Sequence, residues 1–168
     1  VFITPNSSQR QVVAADFNGD GKADVASACF GIDTVMVHLN DGGGRFGAGT
    51  SFATVGTGPV GLAVADLNQD KKLDLITANT GNVISYLAGK GDGSFFPAVT
   101  TGGLVSPQGV EVADLSGDGV QDVVVTNGGK LSVFTGLGDG RLVLQGSVAV
   151  GVGARYFALG DLNRDGFL

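Results

Sequence analysis

Oxygen-bearing side chains recur at near-alternate positions of one short stretch, DFNGDGKAD, which spans residues 16–24. They occupy its first, third, fifth and ninth positions: Asp16, Asn18, Asp20 and Asp24. Gly21 stands at the sixth position, where a sharp bend favours glycine. Oxygen ligands at this spacing form a cage for a hard cation such as Ca²⁺. Because Asp, Asn and Gly also favour plain turns, a single copy would leave both interpretations open.

The same pattern returns three more times along the chain. It reads DLNQDKKLD at residues 66–74, DLSGDGVQD at 114–122 and DLNRDGFL from 161 to 168, where the sequence ends before the ninth position. The first aspartates of successive copies are 50, 48 and 47 residues apart. Such a steady period indicates a repeating structural unit and not a chance turn.

Composition and charge narrow the class of protein. The 168 residues carry a net charge of −6, which argues against nucleic acid or an anionic membrane as a partner, because both attract basic surfaces. No apolar run approaches the roughly 18 residues of a membrane span, and no leader peptide opens the chain. We therefore expect a soluble protein whose export signal, if any, is removed or lies upstream.

The acidic residues are concentrated in the repeated loops. Eleven of the 15 aspartates lie there, and Glu111 is the only glutamate. Solvated helix faces would favour Glu and Lys, whereas aspartates suit turns. With 30 glycines and only four prolines, this composition predicts an all-β protein with many tight reversals.

Each loop is flanked by residues with the period of β-strands. Apolar side chains two and four residues before the loop, with a small residue directly before it, predict an inner strand that is packed on both faces. A second strand follows the ninth position, so the loop is the predicted tip of a hairpin. Glycine-rich turns at 40–46, 89–95 and 136–142 then join a third strand to a fourth.

Four antiparallel strands in about 48 residues predict the blade of a β-propeller, since a β-sandwich needs about 100 residues. The whole chain, 1–168, is then a single propeller segment with repeats at approximately 11–58, 59–106, 107–154 and a truncated 155–168. Residues 1–4, VFIT, are the predicted outer strand of a preceding blade. Because propellers close with about 4 to 8 blades, we expect either a longer chain or closure by self-association.

The loop DxNxDGxxD, followed about 20 residues later by a GxGDGxF turn, resembles the FG-GAP/VCBS repeats of integrin-α-like β-propellers. The resemblance covers nearly the whole chain. It implies a Ca²⁺-binding loop in each blade and an extracellular or cell-surface protein of adhesion or ligand binding. Bacterial relatives of this kind are attached to secreted enzymes or surface proteins.

The resemblance also implies which atoms bind the ion. The first loop would use the side chains of Asp16, Asn18, Asp20 and Asp24 with the carbonyl of Lys22. The second would use Asp66, Asn68, Asp70 and Asp74 with the carbonyl of Lys72, although Lys71 replaces the sixth-position glycine. The third would use Asp114, Ser116, Asp118 and Asp122 with the carbonyl of Val120. The fourth offers Asp161, Asn163 and Asp165.

An EF-hand is the alternative source of this loop pattern. It requires Glu at position 12 and a helix on either side. Here position 12 is Ser27, Thr77 or Val125, and the flanks alternate as strands. The EF-hand is therefore excluded, and the expected role of Ca²⁺ is to neutralise the crowded carboxylates and stabilise the folded loop.

The sequence offers little for catalysis. His38, the only histidine, takes a strand position that Leu87 and Phe134 fill in other repeats, which indicates a packed side chain. Cys29 is the only cysteine and is expected to be buried. No arrangement of nucleophile and base is recognisable, and we expect no catalytic residues.

Three functions remain open from the sequence. The first is a non-catalytic extracellular binding or adhesion scaffold whose partner is a protein or a glycan. The second is the propeller portion of a secreted carbohydrate-active enzyme or lectin. The third is a surface protein that assembles with copies of itself through unpaired blade faces.

Overall fold

The computed structural model describes residues 8–164 of the chain, which form an all-β fold. The strand expected at residues 1–4 and Asp165 of the fourth loop lie outside the described residues. Within them, twelve strands form three four-stranded antiparallel sheets, each with its strands in sequence order. This confirms the predicted series of four-stranded propeller blades.

The strands of the three blades follow one another without crossover. Blade 1 holds β1 (Gln9–Ala15), β2 (Asp24–Cys29), β3 (Thr34–His38) and β4 (Thr50–Ala53). Blade 2 holds β5 (Pro59–Ala65), β6 (Asp74–Asn79), β7 (Val83–Leu87) and β8 (Val99–Thr101). Blade 3 holds β9 (Pro107–Ala113), β10 (Asp122–Asn127), β11 (Lys130–Gly136) and β12 (Leu142–Ala149).

The part of the chain that the structure describes contains almost no helix. A single 3₁₀ turn, Phe30–Ile32, joins β2 to β3. None of the described helical segments is long and apolar enough to cross a membrane.

The hydrophobic core lies between the blades. One cluster joins side chains of blades 1 and 2, among them Val35, Leu62 and Leu75. A second joins blades 2 and 3, among them Ile76, Val123 and Phe134. Each sheet therefore buries its apolar faces against its neighbours, as stacked blades must.

The strand that is buried on both faces is the second of each blade, and not the first as the sequence predicted. Every residue of β6 and of β10 is buried, whereas β1 is half open and Val12 is 55% exposed. β6 contributes Leu75 to the cluster shared with blade 1 and Ile76 to the cluster shared with blade 3, so both of its faces are packed. The first strand forms the edge of its sheet.

First strands of neighbouring blades approach each other closely at glycines. A Cβ on Gly61 of β5 would lie 2.3 Å from the carbonyl oxygen of Gln108, and a Cβ on Gly109 of β9 would lie 2.3 Å from that of Arg155. No side chain fits such a gap. Glycine at these two positions therefore permits the close approach of backbone to backbone, whereas Gln11 stands at the equivalent position of blade 1.

The fourth strands of the first two blades are short and begin later than the sequence predicted. Phe46 and Phe95 form only isolated bridges with Asn40 and Gly89, and β4 and β8 start four residues beyond them. In blade 2, Pro97 intervenes and supplies no N–H to a ladder. Only in blade 3 does the fourth strand start at the last residue of the predicted turn, Leu142.

Candidate metal sites at the hairpin tips

The acidic loops lie at the hairpin tips, as predicted. In each blade the residue before the first aspartate pairs with the ninth-position aspartate: Ala15 with Asp24, Ala65 with Asp74, and Ala113 with Asp122. The intervening residues 16–23, 66–73 and 114–121 therefore form closed tips of equal length. The three copies are structurally equivalent.

The first aspartate organises the turn of each loop by accepting backbone hydrogen bonds. Asp114 accepts three, from the N–H groups of Gly117 at 2.7 Å, Asp118 at 3.2 Å and Gly119 at 2.8 Å. These bonds, with that from Gly119 foremost, lower the pKa of Asp114. Asp16 accepts the three corresponding bonds of the first loop. In both loops these hydrogen bonds hold the first carboxylate in a fixed place.

The third and fifth residues point back onto the same turn. The Asn18 and Asn68 side-chain oxygens accept the N–H of the fifth residue at 3.1 and 3.0 Å. The fifth aspartates accept the N–H of the seventh residue, which brings Lys22, Lys72 and Val120 into the turn. The first, third and fifth oxygens are therefore grouped at an exposed tip.

Lysine compensates part of the negative charge in two loops. Lys22 lies 3.3 Å from Asp20, and Lys72 lies 3.7 Å from Asp70. Both pairs are exposed, so each contributes little to stability. The third loop has Val120 at the equivalent position and keeps its carboxylates without such a partner among the described residues.

The second loop keeps the same backbone without the sixth-position glycine. Lys71 takes a φ of +66°, close to the +81° of Gly21 and the +83° of Gly119. Gln69, at the fourth position, also has a positive φ of +59°. Left-handed backbone at a residue with a Cβ costs about 1 kcal/mol or more. The hydrogen bonds of the loop therefore impose this turn against local preference.

The ninth-position aspartates are buried at the base of the loop, apart from the other three oxygens. Asp24 and Asp74 are fully buried and Asp122 is 3% exposed. One oxygen of each accepts the N–H of the second loop residue, from Phe17, Leu67 or Leu115, at 2.9–3.0 Å. The other accepts the first N–H of the glycine-rich turn, from Asn40, Gly89 or Gly136, at 2.8–3.0 Å. We call Asp24, Asp74 and Asp122 the clasp aspartates.

The clasp in blade 2 has an additional donor. The Tyr86 hydroxyl donates to Asp74 at 3.1 Å. Burial raises the pKa of Asp74 despite the hydrogen bonds from Gly89, Leu67 and Tyr86. Burial together with the negative charge of Asp74 raises the pKa of Tyr86 in turn. The carboxylate is thus the hydrogen-bond acceptor around which this end of the blade is built.

In none of the described loops do the aspartates of the first, fifth and ninth positions lie close enough together to hold a metal ion as their side chains stand. In donor chemistry, however, the loops fit a hard cation, since every candidate ligand is an oxygen. A carboxylate oxygen with one N–H donor also keeps a second lone pair. In the fourth loop, Asp161 accepts the N–H of Arg164 at 2.6 Å, and Asn163 follows at the third position.

The sequence did not reveal the partners of the clasp aspartates. They are backbone N–H groups, which any residue supplies, so residue identities carry no signal for the second-position donor. The glycine-rich turn, which begins 22 to 24 residues after the first aspartate, was recognisable only as a turn.

His38, as expected, is buried, with Nδ1 at 3.1 Å from the Gly47 carbonyl oxygen.

Comparison with solved structures finds the same fold in several proteins. A functionally unknown protein from Desulfotomaculum acetoxidans superposes with a TM-score of 0.69 at 19% identity, over 88% of this chain and 44% of that one. An Agrocybe aegerita lectin gives 0.54 at 26% identity, over 84% and 38%. NanB sialidase from Streptococcus pneumoniae gives 0.57 at 12% identity, over 83% and 23%. This chain therefore spans less than half of each protein.

Comparison with curated proteins finds no match. The model of the FG-GAP-like repeat matches three times, at residues 16–77, 66–125 and 114–168. Each match begins at the first aspartate of an acidic loop and runs into the next blade, so the family pattern has the period of the blades. Together the matches extend over most of the sequence. The chain belongs to the FG-GAP-like repeat family.

Proposed function

We propose that this chain is a non-catalytic, calcium-stabilised propeller module of an extracellular or cell-surface protein, which binds a protein or glycan ligand. The observation that supports it best is the recurrence of one loop geometry at the same hairpin tip of three blades. A catalytic centre needs different residues at one place, whereas a repeated loop serves the scaffold. The remaining blades would come from a longer chain or from a second copy.

In each loop the first, third and fifth side chains would hold Ca²⁺ with the seventh carbonyl and a free lone pair of the clasp aspartate. When bound, the ion supplies positive charge that offsets the repulsion among the carboxylates. The loop is already turned by its own hydrogen bonds. The backbone turn is therefore formed before the ion binds, and binding would draw the aspartates of the loop closer together.

Calcium is expected to raise the melting temperature of the protein. At a hundredfold excess over the dissociation constant, each site adds about 2.7 kcal/mol. Thermal unfolding would be followed by circular dichroism in EDTA, in Ca²⁺ and in Mg²⁺ at equal ionic strength. Asp114→Asn should remove one site from the calcium stoichiometry measured by titration calorimetry. Identical melting in EDTA and Ca²⁺, with no metal found by elemental analysis, would contradict the proposal.

The second loop is expected to bind more weakly than the first and third. Lys71 adds a positive charge beside the cage, and its strained backbone replaces a glycine. The Lys71→Gly variant tests this in the same calorimetric titration. It should lower the dissociation constant of the weakest calcium-binding step. The expected order therefore has the second loop below the first and the third.

A glycan ligand has specific support. The Agrocybe aegerita lectin, which specifically recognises non-reducing terminal N-acetylglucosamine, shares 26% identity with this chain. On an array, we expect the protein to bind individual glycans or extracellular matrix proteins in the presence of Ca²⁺. In EDTA, at a temperature above the melting temperature of the metal-free protein, this binding should be lost. A blank array, or turnover of a polysaccharide by the protein, would contradict a non-catalytic binding module.

A further inference from the structure

A cavity of about 160 Å³ lies at the start of the first strands, at the end of the blades opposite the acidic loops. Four of its lining residues, Arg10, Val60, Gln108 and Arg155, each stand six residues before the first aspartate of a loop. They are therefore equivalent positions of successive repeats. The cavity lies where the first strands of neighbouring blades come together.

The lining is positively charged in an acidic protein. It contains two arginines and no Asp or Glu, although the chain as a whole carries a net charge of −6. The ion pairs found among residues 8–164 involve Lys22, Lys72 and Arg141. Neither pocket arginine is among these pairs. Two arginines thus line one concave surface, and neither forms an ion pair within the described structure.

The side chain of Arg10 and the backbone of Arg155 are held by contacts with the fold. The Arg10 guanidinium lies over the Phe30 ring, with its carbon 4.9 Å from the ring centroid. Stacking uses the face of the guanidinium and leaves its N–H edge for an acceptor. The backbone of Arg155 packs on Gly109, and its carbonyl accepts from the Thr126 hydroxyl at 3.4 Å. Thr80 and Gln108 add polar groups to the wall.

The size of the cavity limits what it can accept. Since a water molecule takes about 30 Å³ of liquid volume, 160 Å³ holds a group of a few heavy atoms. Pockets that enclose a whole drug-sized ligand run from about 300 Å³ upward. The cavity therefore suits a charged end group, with the remainder of the ligand outside.

We propose that this pocket binds the oxyanion of a small acidic ligand, a carboxylate, sulfate or phosphate group, through Arg10 and Arg155. Arginine presents paired N–H donors that match the two oxygens of such groups. The proposal rests on the proposed ligand-binding function and assigns its ligand a negative charge. It places recognition at the end of the blades away from the candidate metal sites.

Nuclear magnetic resonance titration of the full chain tests this directly. The probes are glucuronate, with neutral glucose as its match, and inorganic sulfate and phosphate, all at constant ionic strength in chloride. We expect saturable shifts of the Arg10 and Arg155 side-chain N–H signals with at least one oxyanion and none with glucose. Response to glucuronate alone would assign a planar carboxylate, and response to sulfate or phosphate alone a tetrahedral group.

Substitution of either arginine should weaken binding about tenfold, which corresponds to about 1.4 kcal/mol. The variants are Arg10→Gln and Arg155→Gln, with Arg45→Gln as the matched control on an exposed turn. Arg155→Lys keeps the charge but not the paired donors and should give an intermediate loss. Circular dichroism confirms that each variant is folded.

Two results would overturn the proposal. One is the absence of saturable shifts at oxyanion concentrations of tens of millimolar, well above the dissociation constant of about 1 mM that a −4 kcal/mol interaction gives. The other is an equal loss in Arg45→Gln. If a neutral glycan or a protein bound Arg10→Gln with unchanged affinity, the oxyanion proposal would fail while the binding module stood. If oxyanions bound but the array stayed blank, the oxyanion proposal would stand and the proposed binding module would fail.

Discussion

At the scale of single residues, the most informative side chains are the clasp aspartates. Each is a buried carboxylate whose two oxygens accept N–H groups from two different loops of the blade. A buried N–H without an acceptor costs about 1–3 kcal/mol. Their contribution to stability is therefore expected to be present without metal, in contrast to the exposed aspartates of the same loop.

We predict that Asp122→Ala lowers the free energy of unfolding by about 3 kcal/mol in EDTA, since the buried N–H of Gly136 and the partly buried N–H of Leu115 lose their acceptor. Asp118→Ala, at an exposed position four residues earlier, should change it by about 0.5 kcal/mol or less. Urea unfolding of both variants measures the difference. Equal losses of unfolding free energy in the two variants would show that the hydrogen bonds of the clasp aspartate add no stability of their own in the absence of metal.

At the scale of elements, the sequence predicted what repeats in residue identity. The hairpin tips were predictable because the spacing of Asp16, Asn18 and Asp20 returns in each repeat and the flanks alternate with period two. The third-to-fourth strand turns were predictable from their Asp-Gly and Gly-Gly pairs. These local signals placed every candidate loop at its observed position in the described blades.

What the sequence did not predict depends on contacts between repeats. The burial of β6 and β10 on both faces follows from neighbouring blades, which a single repeat does not contain. The oxyanion pocket escaped because its equivalent positions hold different residues: Arg10, Val60, Gln108 and Arg155. What these residues share is their position within the repeat, and not their residue type. A search for variable residues at one fixed distance from each loop would have found it.

At the scale of the whole molecule, the acidic loops and the two pocket arginines lie at opposite ends of the blades. The acidic loops follow the first strands, and the pocket arginines precede or begin them. A seven-residue strand such as β1 spans about 20 Å, which exceeds the Debye length of about 8 Å at physiological salt. Calcium at the loops would therefore affect the pocket through the rigidity of the blade and not through direct electrostatics.

The placement of the core between sheets has a consequence for local opening. Blade 2 shares apolar clusters with both of its described neighbours, whereas β12 of blade 3 is exposed along most of its length. When each unit is stabilised by its neighbours, protection is greatest at the unit with most partners. We expect amide hydrogen exchange, followed by mass spectrometry, to be slowest in β6 and faster in β12. Equal protection of these strands would mean that the blades open as one body. Slower exchange in β6 than in β12 would mean that a destabilising substitution in one blade weakens the adjacent blades first. Local unfolding would then propagate from blade to blade, as it does in linear repeat proteins.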